Sequence, residues 1–376
     1  MIVCPHRPPC QGCPRLGAPD IDPGARAALS VLSSENGLGA LRVERGPDTG
    51  FRHRARLAVR GRATAPKIGI FEPGSHRIVD IPRCLVHLPL LNEIAGEIRR
   101  AIVDCRAPPY SDAAHAGLIR YVQIVIERHS GTAQVVIVTN SDTLASSERL
   151  LSTLADRIGP RLHSLHWNGN PARTNTILGP YFHRVRGPEA IEEHIGGARV
   201  FYPPGAFGQS NLDLSDSLVA TIHGWVPAGA RVAELYSGTG AIGLGLVQRS
   251  AEVRFSEIAP DSLRGLSLGI DALEEPLRTR VKVLPGPVSA ATSLVESADV
   301  VVVDPPRKGL DPALRAALLG TPPNRLVYVA CGLPSFLEDA AALLESSKFR
   351  LSELVVFDLF PHTRHVEVAA RFDRAT

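Results

Sequence analysis

The 376-residue sequence contains little lysine, methionine and tryptophan, and no long apolar run. Lysine occurs at four positions, so nearly all of the 41 basic residues are arginine. Without an apolar run of about 18 residues, we expect no transmembrane helix and no membrane partner. The first residues, MIVCPHRPPCQGCPR, lack the apolar core of a secretory signal, so we expect a cytoplasmic protein with reduced thiols. Hydrophobic residues make up 44% and charged residues 21%, which excludes disorder over most of the chain.

The cysteines are few but unevenly placed. Cys4, Cys10 and Cys13 crowd the start of the chain with the spacing C-x5-C-x2-C. In a reducing compartment, such crowding favours a metal site over disulfides. Cys84 follows a predicted strand and is the candidate fourth ligand, whereas Cys105 is interpreted as a bystander. The C-x2-C spacing occurs in both zinc and iron–sulfur sites, so both metals remain open at this point.

Positive charge is concentrated in the first half of the chain. Residues 1–200 carry 25 basic and 18 acidic side chains, and residues 201–376 carry 16 and 20. A basic front and a mildly acidic back predict a polyanion-binding part joined to a part with another task. An arginine-rich genome is a partial alternative explanation.

Five arginines alternate along a predicted strand over residues 51–62. Side chains of a strand repeat every two residues, so these arginines are expected on one face, opposite Ala55, Leu57 and Val59. A role facing the phosphates of a nucleic acid is favoured over a merely solvated face. The five candidates are Arg52, Arg54, Arg56, Arg60 and Arg62.

The pattern of predicted elements changes near residue 205. The first 200 residues predict a mixed α+β region with antiparallel pairs, including a hairpin around HSGT within residues 120–140. Beyond it, short apolar strands alternate with helices, which predicts an α/β domain with a parallel, doubly wound, Rossmann-like sheet. The predicted strands are 231–235, 253–257, 298–304, 325–330 and 355–360. The expected domains are a cysteine loop over 1–23, an α+β polyanion-binding domain over 24–200 and an α/β domain over 201–376.

A glycine-rich turn follows the first of these apolar strands. Gly238, Gly240 and Gly243 form G-x-G-x-x-G in a predicted strand–turn–helix, an arrangement that lets backbone approach a ligand. Glu257 ends the next strand, where a carboxylate can accept the hydroxyls of a ribose. The pattern fits NAD and S-adenosylmethionine (SAM) enzymes and also a turn without ligand. Glu234, at the end of the first strand, favours SAM.

Reactive side chains follow two later strands. Residues 304–307, Asp-Pro-Pro-Arg, lie at the carboxyl end of a buried strand, where open α/β sheets bind ligands. Cys331 follows the next strand and is a candidate nucleophile, with a buried structural cysteine as the alternative. Glu367 lies between two valines, where burying a carboxylate is costly, so it is favoured over His362 and His365 as a general base.

These motifs together resemble the RNA uracil-5 methyltransferase family. The landmarks occur in the order FGQSN (207–211), ELYSGTG (234–240), DPPRKG (304–309), YVACG (328–332) and FPHTRHVEV (360–368). The nucleophile loop departs from the family's Ser-Cys-Asn-Pro because it reads Ala-Cys-Gly-Leu over 330–333. Many members carry an N-terminal oligonucleotide-binding barrel, and we expect none here. This short layout is similar to that of the family member that methylates 23S ribosomal RNA.

The resemblance implies specific roles. Cys331 would add to carbon 6 of uracil, and Glu367 would remove the proton from carbon 5. Cys4, Cys10, Cys13 and Cys84 would hold a 4Fe–4S cluster. The residues implied to bind SAM are Gln209, Tyr236, Gly238, Gly240, Glu257 and Asp304.

Three functions follow as hypotheses. The first is SAM-dependent methylation of a uridine in RNA, with ribosomal RNA favoured over transfer RNA and no obligate protein partner. The second is a catalytically silent iron–sulfur protein that binds RNA. The third is an NAD oxidoreductase, which would leave the Asp-Pro-Pro-Arg motif and Cys331 without a task.

Overall fold

The computed structural model describes residues 2–375 and divides into two compact units. The first unit comprises residues 2–17 and Pro47–Glu193, and the second comprises Ala18–Gly46 and the chain from His194 onward. No helix in the described part of the chain is long and apolar enough to cross a membrane.

Strands occur in runs in the first half of the chain, and strands and helices alternate mainly from α4 onward. The strands are β1 (Arg42–Glu44), β2 (Arg54–Arg62), β3 (Ala65–Phe71), β4 (Ile78–Asp80), β5 (Ile119–Ile126), β6 (Ala133–Thr139), β7 (Leu162–Gly169), β8 (Tyr181–Arg186), β9 (Ile191–Ile195), β10 (Ala198–Tyr202), β11 (Arg231–Leu235), β12 (Glu252–Glu257), β13 (Val281–Pro285), β14 (Val300–Val303), β15 (Arg325–Ala330), β16 (Phe349–Phe357) and β17 (Glu367–Arg374). The α-helices are α1 (Pro23–Glu35), α2 (Pro89–Cys105), α3 (Glu148–Ile158), α4 (Leu212–Trp225), α5 (Pro260–Asp271), α6 (Glu275–Arg278), α7 (Ser293–Glu296), α8 (Pro312–Gly320) and α9 (Leu333–Glu345).

The second unit is built on an eight-stranded sheet in the order β1-β16-β17-β15-β14-β11-β12-β13. Strands β11 to β15 pair in parallel, as their apolar sequences predict. The strand predicted over 355–360 is present as the end of β16, and its residues 355–357 pair in parallel with β1. On its other side β16 pairs antiparallel with β17, because these two strands follow one another without a crossover helix.

Residues 18–46 belong to the second unit, which differs from the predicted division at residues 23 and 200. Helix α1 buries Ala25 and Leu29 in the same apolar cluster as Val301 and Val303 of β14. Strand β1 pairs in parallel with β16 at the sheet edge. Sequence order alone could not reveal this, because the segment returns to a sheet encoded about 200 residues later.

The first unit is a seven-stranded sheet in the order β4-β3-β2-β5-β6-β7-β8. The predicted hairpin is present as β5 and β6, which pair antiparallel around residues 127–132. Helices α2 and α3 pack on one face, where Leu57, Val122, Ile137 and Leu165 belong to a common apolar cluster with α2 and α3 side chains. We call the opposite side of this sheet the helix-free face.

Candidate active site

The sequence-predicted catalytic and SAM-binding groups meet at one edge of the eight-stranded sheet. Strands β11, β12, β14 and β15 run in parallel, so their carboxyl ends lie at the same edge. Tyr236, Asp304 and Cys331 each follow one of these strands, and Glu257 is the last residue of β12. Strand β17 is antiparallel to β15 and begins there with Glu367, one position beyond the Ala330–Val368 pair.

The glycine turn lies at this edge, held by Glu257. Oε2 of Glu257 accepts a hydrogen bond from the Gly238 amide at 2.8 Å, and its Oε1 accepts from Ile258 and Ala259, each at 2.7 Å. Gly238 and Gly240 have φ of 56° and 78°, values that favour glycine. The predicted helix after the turn is absent. A short 3₁₀ turn over Leu244–Leu246 replaces it, because the glycine-rich segment has low helix propensity.

Three ionisable groups at the edge influence one another. Burial raises the pKa of Asp304 to about 7. Burial and the neighbouring Asp304 raise the pKa of Glu367 well above its usual value, while Arg307 opposes the shift. Burial, Glu367 and Asp304 likewise raise the pKa of the Cys331 thiol, again against Arg307. The arrangement therefore holds a half-exposed thiol beside a buried carboxyl group that favours its protonated form.

A fourth acid lies under the turn. Glu234 is 3% exposed, and burial raises its pKa to about 8, with Asp304 and Glu257 adding to the shift and the Gly243 amide opposing it. Its Oε2 has no hydrogen-bond partner within the described residues. Glu234 is thus held out of water beneath the turn, close to two other carboxyl groups of the edge.

The loop after β14 is tied to helix α9. The Ser335 hydroxyl lies 2.7 Å from the carbonyl oxygen of Arg307 and 2.9 Å from that of Gly332. Asp339, 3% exposed, accepts from the Leu310 amide and from the Tyr328 hydroxyl, both at 2.8 Å. These contacts fix Arg307 and the start of α9, and thereby the surroundings of Cys331.

A second tie joins this loop to the glycine turn. The Asp311 amide donates to the Tyr236 hydroxyl at 3.0 Å. Tyr236 itself has a φ of 61°, which is strained for a residue with a side chain. The loop after β14, the first helix turn of α9 and the glycine turn therefore form one connected frame.

The departure from the family at residue 332 has a steric explanation. A Cβ atom added to Gly332 would lie 2.4 Å from the carbonyl oxygen of Arg307 and 2.9 Å from the Ser335 hydroxyl. Real Cβ contacts are never this short, so asparagine does not fit here without movement of the loop. Glycine is accordingly part of how this chain packs the nucleophile loop, and Cys331 keeps its position after β15.

Two anchors of this frame, Ser335 and Asp339, were missed by the sequence reasoning. The available signal was the helical period of α9, whose buried side chains are Phe336, Asp339, Ala340 and Leu343. An aspartate in an otherwise apolar stripe predicts a satisfied buried hydrogen-bonding group. The hydrogen-bond partners of Asp339 lie on β15 and in the loop after β14. The helical period of α9 does not identify residues on other elements.

Gln209 lies apart from this network of described contacts. It is half-exposed in the segment between β10 and α4, and no hydrogen bond or ion pair of its side chain is present within residues 2–375. Its predicted contact with SAM stays a prediction.

The arginines of strand β2 alternate along the strand as predicted, but not all of their side chains are exposed for binding. Leu57 and Val59 lie in the helix-side cluster, so the β2 arginines project from the helix-free face. Arg60 is 8% exposed, binds Asp112 with two hydrogen bonds of 2.7 and 3.1 Å, and lies over the rings of three aromatic residues. The guanidinium is thus already paired inside the unit, which disfavours a role as a phosphate ligand, and the expected role of Arg60 stays a prediction.

The other four arginines differ in setting. Arg62 is exposed at the end of β2, and Arg56 is exposed with its Nε 2.6 Å from Oε1 of Gln123. Arg54 is buried. Arg52 precedes β2 and lies near the cysteines. Its charge therefore lowers the pKa of Cys13 and of Cys84.

The four N-terminal candidate ligands lie within electrostatic range of one another. Burial raises the pKa of Cys13 to about 11, and Cys84, Cys10 and Cys4 add to that shift in this order. Within residues 2–375, however, no group of three or more His, Cys, Asp or Glu side chains is arranged to hold a metal ion. The predicted cluster is therefore not seen as a formed ligand set.

Comparisons with known proteins find related RNA methyltransferases. A family model described as tRNA (uracil-5-)-methyltransferase matches residues 295–374, which include the loop after β14, Cys331 and Glu367. An RNA methyltransferase of Protochlamydia amoebophila is 33% identical over 379 residues, covering 99% of this chain and 98% of the relative. Another, from Geobacter sulfurreducens, is 29% identical and covers 92% of this chain and 68% of the relative.

A solved structure shares the fold. The Pyrococcus abyssi tRNA (uracil-54, C5)-methyltransferase, solved in complex with S-adenosyl-L-homocysteine, superposes with a TM-score of 0.78 at 24% identity. The match covers 97% of this chain and 86% of the other. The α/β methyltransferase fold predicted from the strand pattern is thereby confirmed.

Proposed function

This chain belongs to the RNA uracil-5 methyltransferase family, and we propose that it transfers the methyl group of SAM to carbon 5 of a uridine in RNA through an adduct on Cys331. The observation that carries the proposal is the meeting of Cys331, Glu367 and Asp304 at one sheet edge beside the glycine turn. A nucleophile, a base and a donor site are the three parts that this reaction needs.

Cys331 supplies the nucleophile. Carbon 5 of uracil reacts poorly with a methyl sulfonium, and addition of the thiolate to carbon 6 converts carbons 4 and 5 into an enolate. The new S–C bond forms as the C5=C6 π electrons move toward oxygen 4. Carbon 5 then attacks the methyl group, and the sulfonium leaves as S-adenosylhomocysteine. Cys331 is half-exposed, so a uracil ring of the RNA can reach its sulfur atom.

Glu367 supplies the base. After methyl transfer, carbon 5 carries both a methyl group and a proton, and the proton must leave before the adduct can break. The Glu367 carboxylate takes that proton, the C5=C6 bond re-forms, and the Cys331 thiolate departs. Its raised pKa suits a group that must accept a proton from carbon.

The SAM site is assigned to the glycine turn. Backbone amides at Gly238 and Gly240 lie where strands β11 and β12 end, and a Cβ at Gly238 would meet no atom within 4 Å, so a ligand can approach. In this proposal Glu257 accepts the ribose hydroxyls of SAM in addition to its backbone contacts, and Asp304 and Tyr236 flank the turn. Gln209 completes the set implied by the family resemblance.

We further propose that Cys4, Cys10, Cys13 and Cys84 hold a 4Fe–4S cluster. Cys84, Cys10 and Cys4 all raise the pKa of Cys13, so the four thiols lie near one another, as a shared ligand set requires, and the nearby Arg52 favours the thiolate form. The backbone amides of Val86 and His87 donate to the Cys84 sulfur, a contact that stabilises a ligating thiolate. The reaction needs no redox step, so the cluster would stabilise this part of the first unit.

The RNA class is the finer part of the proposal. Ribosomal RNA is the first candidate, from the family resemblance of the sequence, and the similarity to a transfer RNA enzyme supports transfer RNA as the second. The test is incubation with labelled SAM and separate pools of unmodified ribosomal and transfer RNA, followed by nucleoside analysis. The proposal predicts labelled 5-methyluridine in one pool, and label in another nucleoside or in neither pool would overturn it.

A further inference from the structure

The last strand of the first unit's sheet is exposed along its whole length. All six residues of β8 are exposed, and Tyr181, Phe182 and Val185 reach 47%, 40% and 36%. Strand β8 ends the sheet order, so one of its edges has no partner strand. An exposed edge strand with aromatic side chains is unfavourable for a protein unless something binds there.

The strand is rigidly placed despite its exposure. Asn168 of β7 donates to the carbonyl oxygens of Gly179 and Tyr181 at 2.9 and 3.0 Å, and accepts from the Gly179 amide at 2.7 Å. Asn168 is itself fully buried. The start of β8 is therefore fixed, and its side chains are presented from a defined backbone.

Register determines which β8 side chains share the helix-free face. Trp167 lies in the helix-side cluster, so its partner His183 points to the helix side. Phe182 pairs with Asn168 and Arg184 with His166, which places both on the helix-free face with the β2 arginines. Residues two apart on a strand are separated by about 7 Å along it.

The strand is positively charged and its charges are not neutralised. Arg184 and Arg186 have no hydrogen-bond or ion-pair partner within residues 2–375, and β8 contains no acidic residue. The pKa of buried His166 is lowered to about 4 by burial and then by Arg184. Two arginines this close disfavour pairing of the edge with a second copy of itself.

We propose that β8 is a binding strand for an unpaired segment of the RNA substrate, in which Phe182 stacks on a base and Arg184 contacts a phosphate. This inference rests on the proposed function for the identity of the ligand. Exposed aromatic rings beside arginines are the usual means of binding single-stranded nucleic acid, because rings stack on bases and guanidinium groups pair with phosphates. Duplex RNA offers no free base for such a ring.

The test measures RNA binding and methylation with Phe182→Ala, Phe182→Trp and Arg184→Ala. The binding probe is a uridine-rich single-stranded oligoribonucleotide. We expect Phe182→Ala to raise its Kd by about 5- to 100-fold, the range of one lost stacking contact, and Phe182→Trp to retain binding. Arg184→Ala should reduce the slope of log Kd against log salt by about 0.7, the effect of one lost phosphate contact on a single strand.

Controls keep the inference separate from the proposed function. Arg77→Ala removes an exposed arginine that already pairs with Glu72 in the same unit, and it should leave Kd and salt slope unchanged. The KM for RNA should rise in Phe182→Ala and Arg184→Ala in step with Kd, whereas Arg77→Ala should leave methyl transfer unchanged. If the wild-type protein binds RNA with these dependences but methylates none, the proposed function fails alone.

Two results would overturn the inference. One is an active enzyme whose Kd, KM and salt slope are the same in Phe182→Ala and Arg184→Ala as in wild type. The other is a change in sedimentation of the variants without a change in RNA binding, which would make β8 an interface between protein copies. Exposed positions should not affect folding, and equal Tm values would verify this.

Discussion

At the scale of single residues, the chemistry depends on groups that hold protons more tightly than usual. Cys331, Glu367 and Asp304 all have raised pKa values, and Arg307 is the cation that opposes the shifts of Cys331 and Glu367. A thiol must lose its proton to attack, and Glu367 must be ionised to take one. Both requirements are met more fully as pH rises.

Because both groups must lose a proton before they act, the rate of methylation should increase with pH. The rate kcat/KM should rise from pH 7 toward and beyond pH 9, by about tenfold per pH unit for each group that must lose its proton. Arg307→Ala should move the rising limb to higher pH, because the cation that lowers both pKa values is lost. A pH–rate profile in RNA-saturated and RNA-limited conditions measures this. A profile that is flat above pH 7 would contradict it.

Removal of the base should separate the two halves of the reaction. Glu367→Gln keeps the shape of the side chain but cannot take the carbon 5 proton, so methylated RNA should stay attached to Cys331. Denaturing electrophoresis should show this adduct with ordinary uridine RNA, while 5-methyluridine release falls by at least about 100-fold. Rapid release of clean product would assign the base role to another residue.

Much of this residue-scale account was accessible from the sequence, because strand ends and short motifs are local. The placement of Asp304, Cys331 and Glu367 at one edge follows from their positions after β14, after β15 and at the start of β17. The burial of Arg60 was not accessible. Its partners Asp112 and Tyr110 are about 50 residues away and carry no pattern that names Arg60.

At the scale of elements, the frame around the nucleophile depends on helix α9. Asp339 holds both the backbone of the loop after β14 and the hydroxyl of Tyr328. The glycine turn, by contrast, lacks the predicted helix. Hydrophobic periodicity predicts a helix in this apolar segment. The positive φ of Gly240 and the high glycine content prevent a helix from forming there.

Asp339→Ala tests this frame. The change leaves the Tyr328 hydroxyl and the Leu310 amide unpaired in the interior, which should cost about 2–4 kcal/mol of unfolding free energy. Denaturant unfolding of the variant measures the loss. Tyr328→Phe, which removes one donor and leaves the other contacts of Asp339, should cost about 1 kcal/mol. Equal, small effects from both changes would mean that Asp339 does not anchor the loop.

At the scale of the whole molecule, the proposed function divides its tasks between the two units. The eight-stranded sheet carries the proposed reacting groups, and the first unit carries the arginines of β2 and the exposed strand β8. The uneven charge along the sequence predicts a division of this kind. The return of residues 18–46 to the second unit was not predicted, because long-range strand pairing leaves no local signal.

The four N-terminal candidate cysteines give a prediction about the purified protein. Anaerobically isolated protein should be brown, with about four iron and four sulfide per chain and visible absorption that disappears on oxidation. Cys84→Ser should lower the iron content and the Tm, whereas Cys105→Ser, a thiol bonded only to helix α3, should change neither. A colourless protein with one zinc per chain would replace the cluster with a zinc site.

The adduct itself tests the central claim most directly. RNA carrying 5-fluorouridine at the modified position can be attacked and methylated, but the fluorine that replaces the carbon 5 proton cannot be removed as a proton by Glu367. With SAM, the account predicts a protein–RNA species that survives denaturation, maps by mass spectrometry to Cys331 and carries one transferred methyl group, and that is absent with Cys331→Ala. If the fluorinated RNA forms no adduct, or one at a different residue, while ordinary RNA is still methylated, the proposed mechanism is wrong.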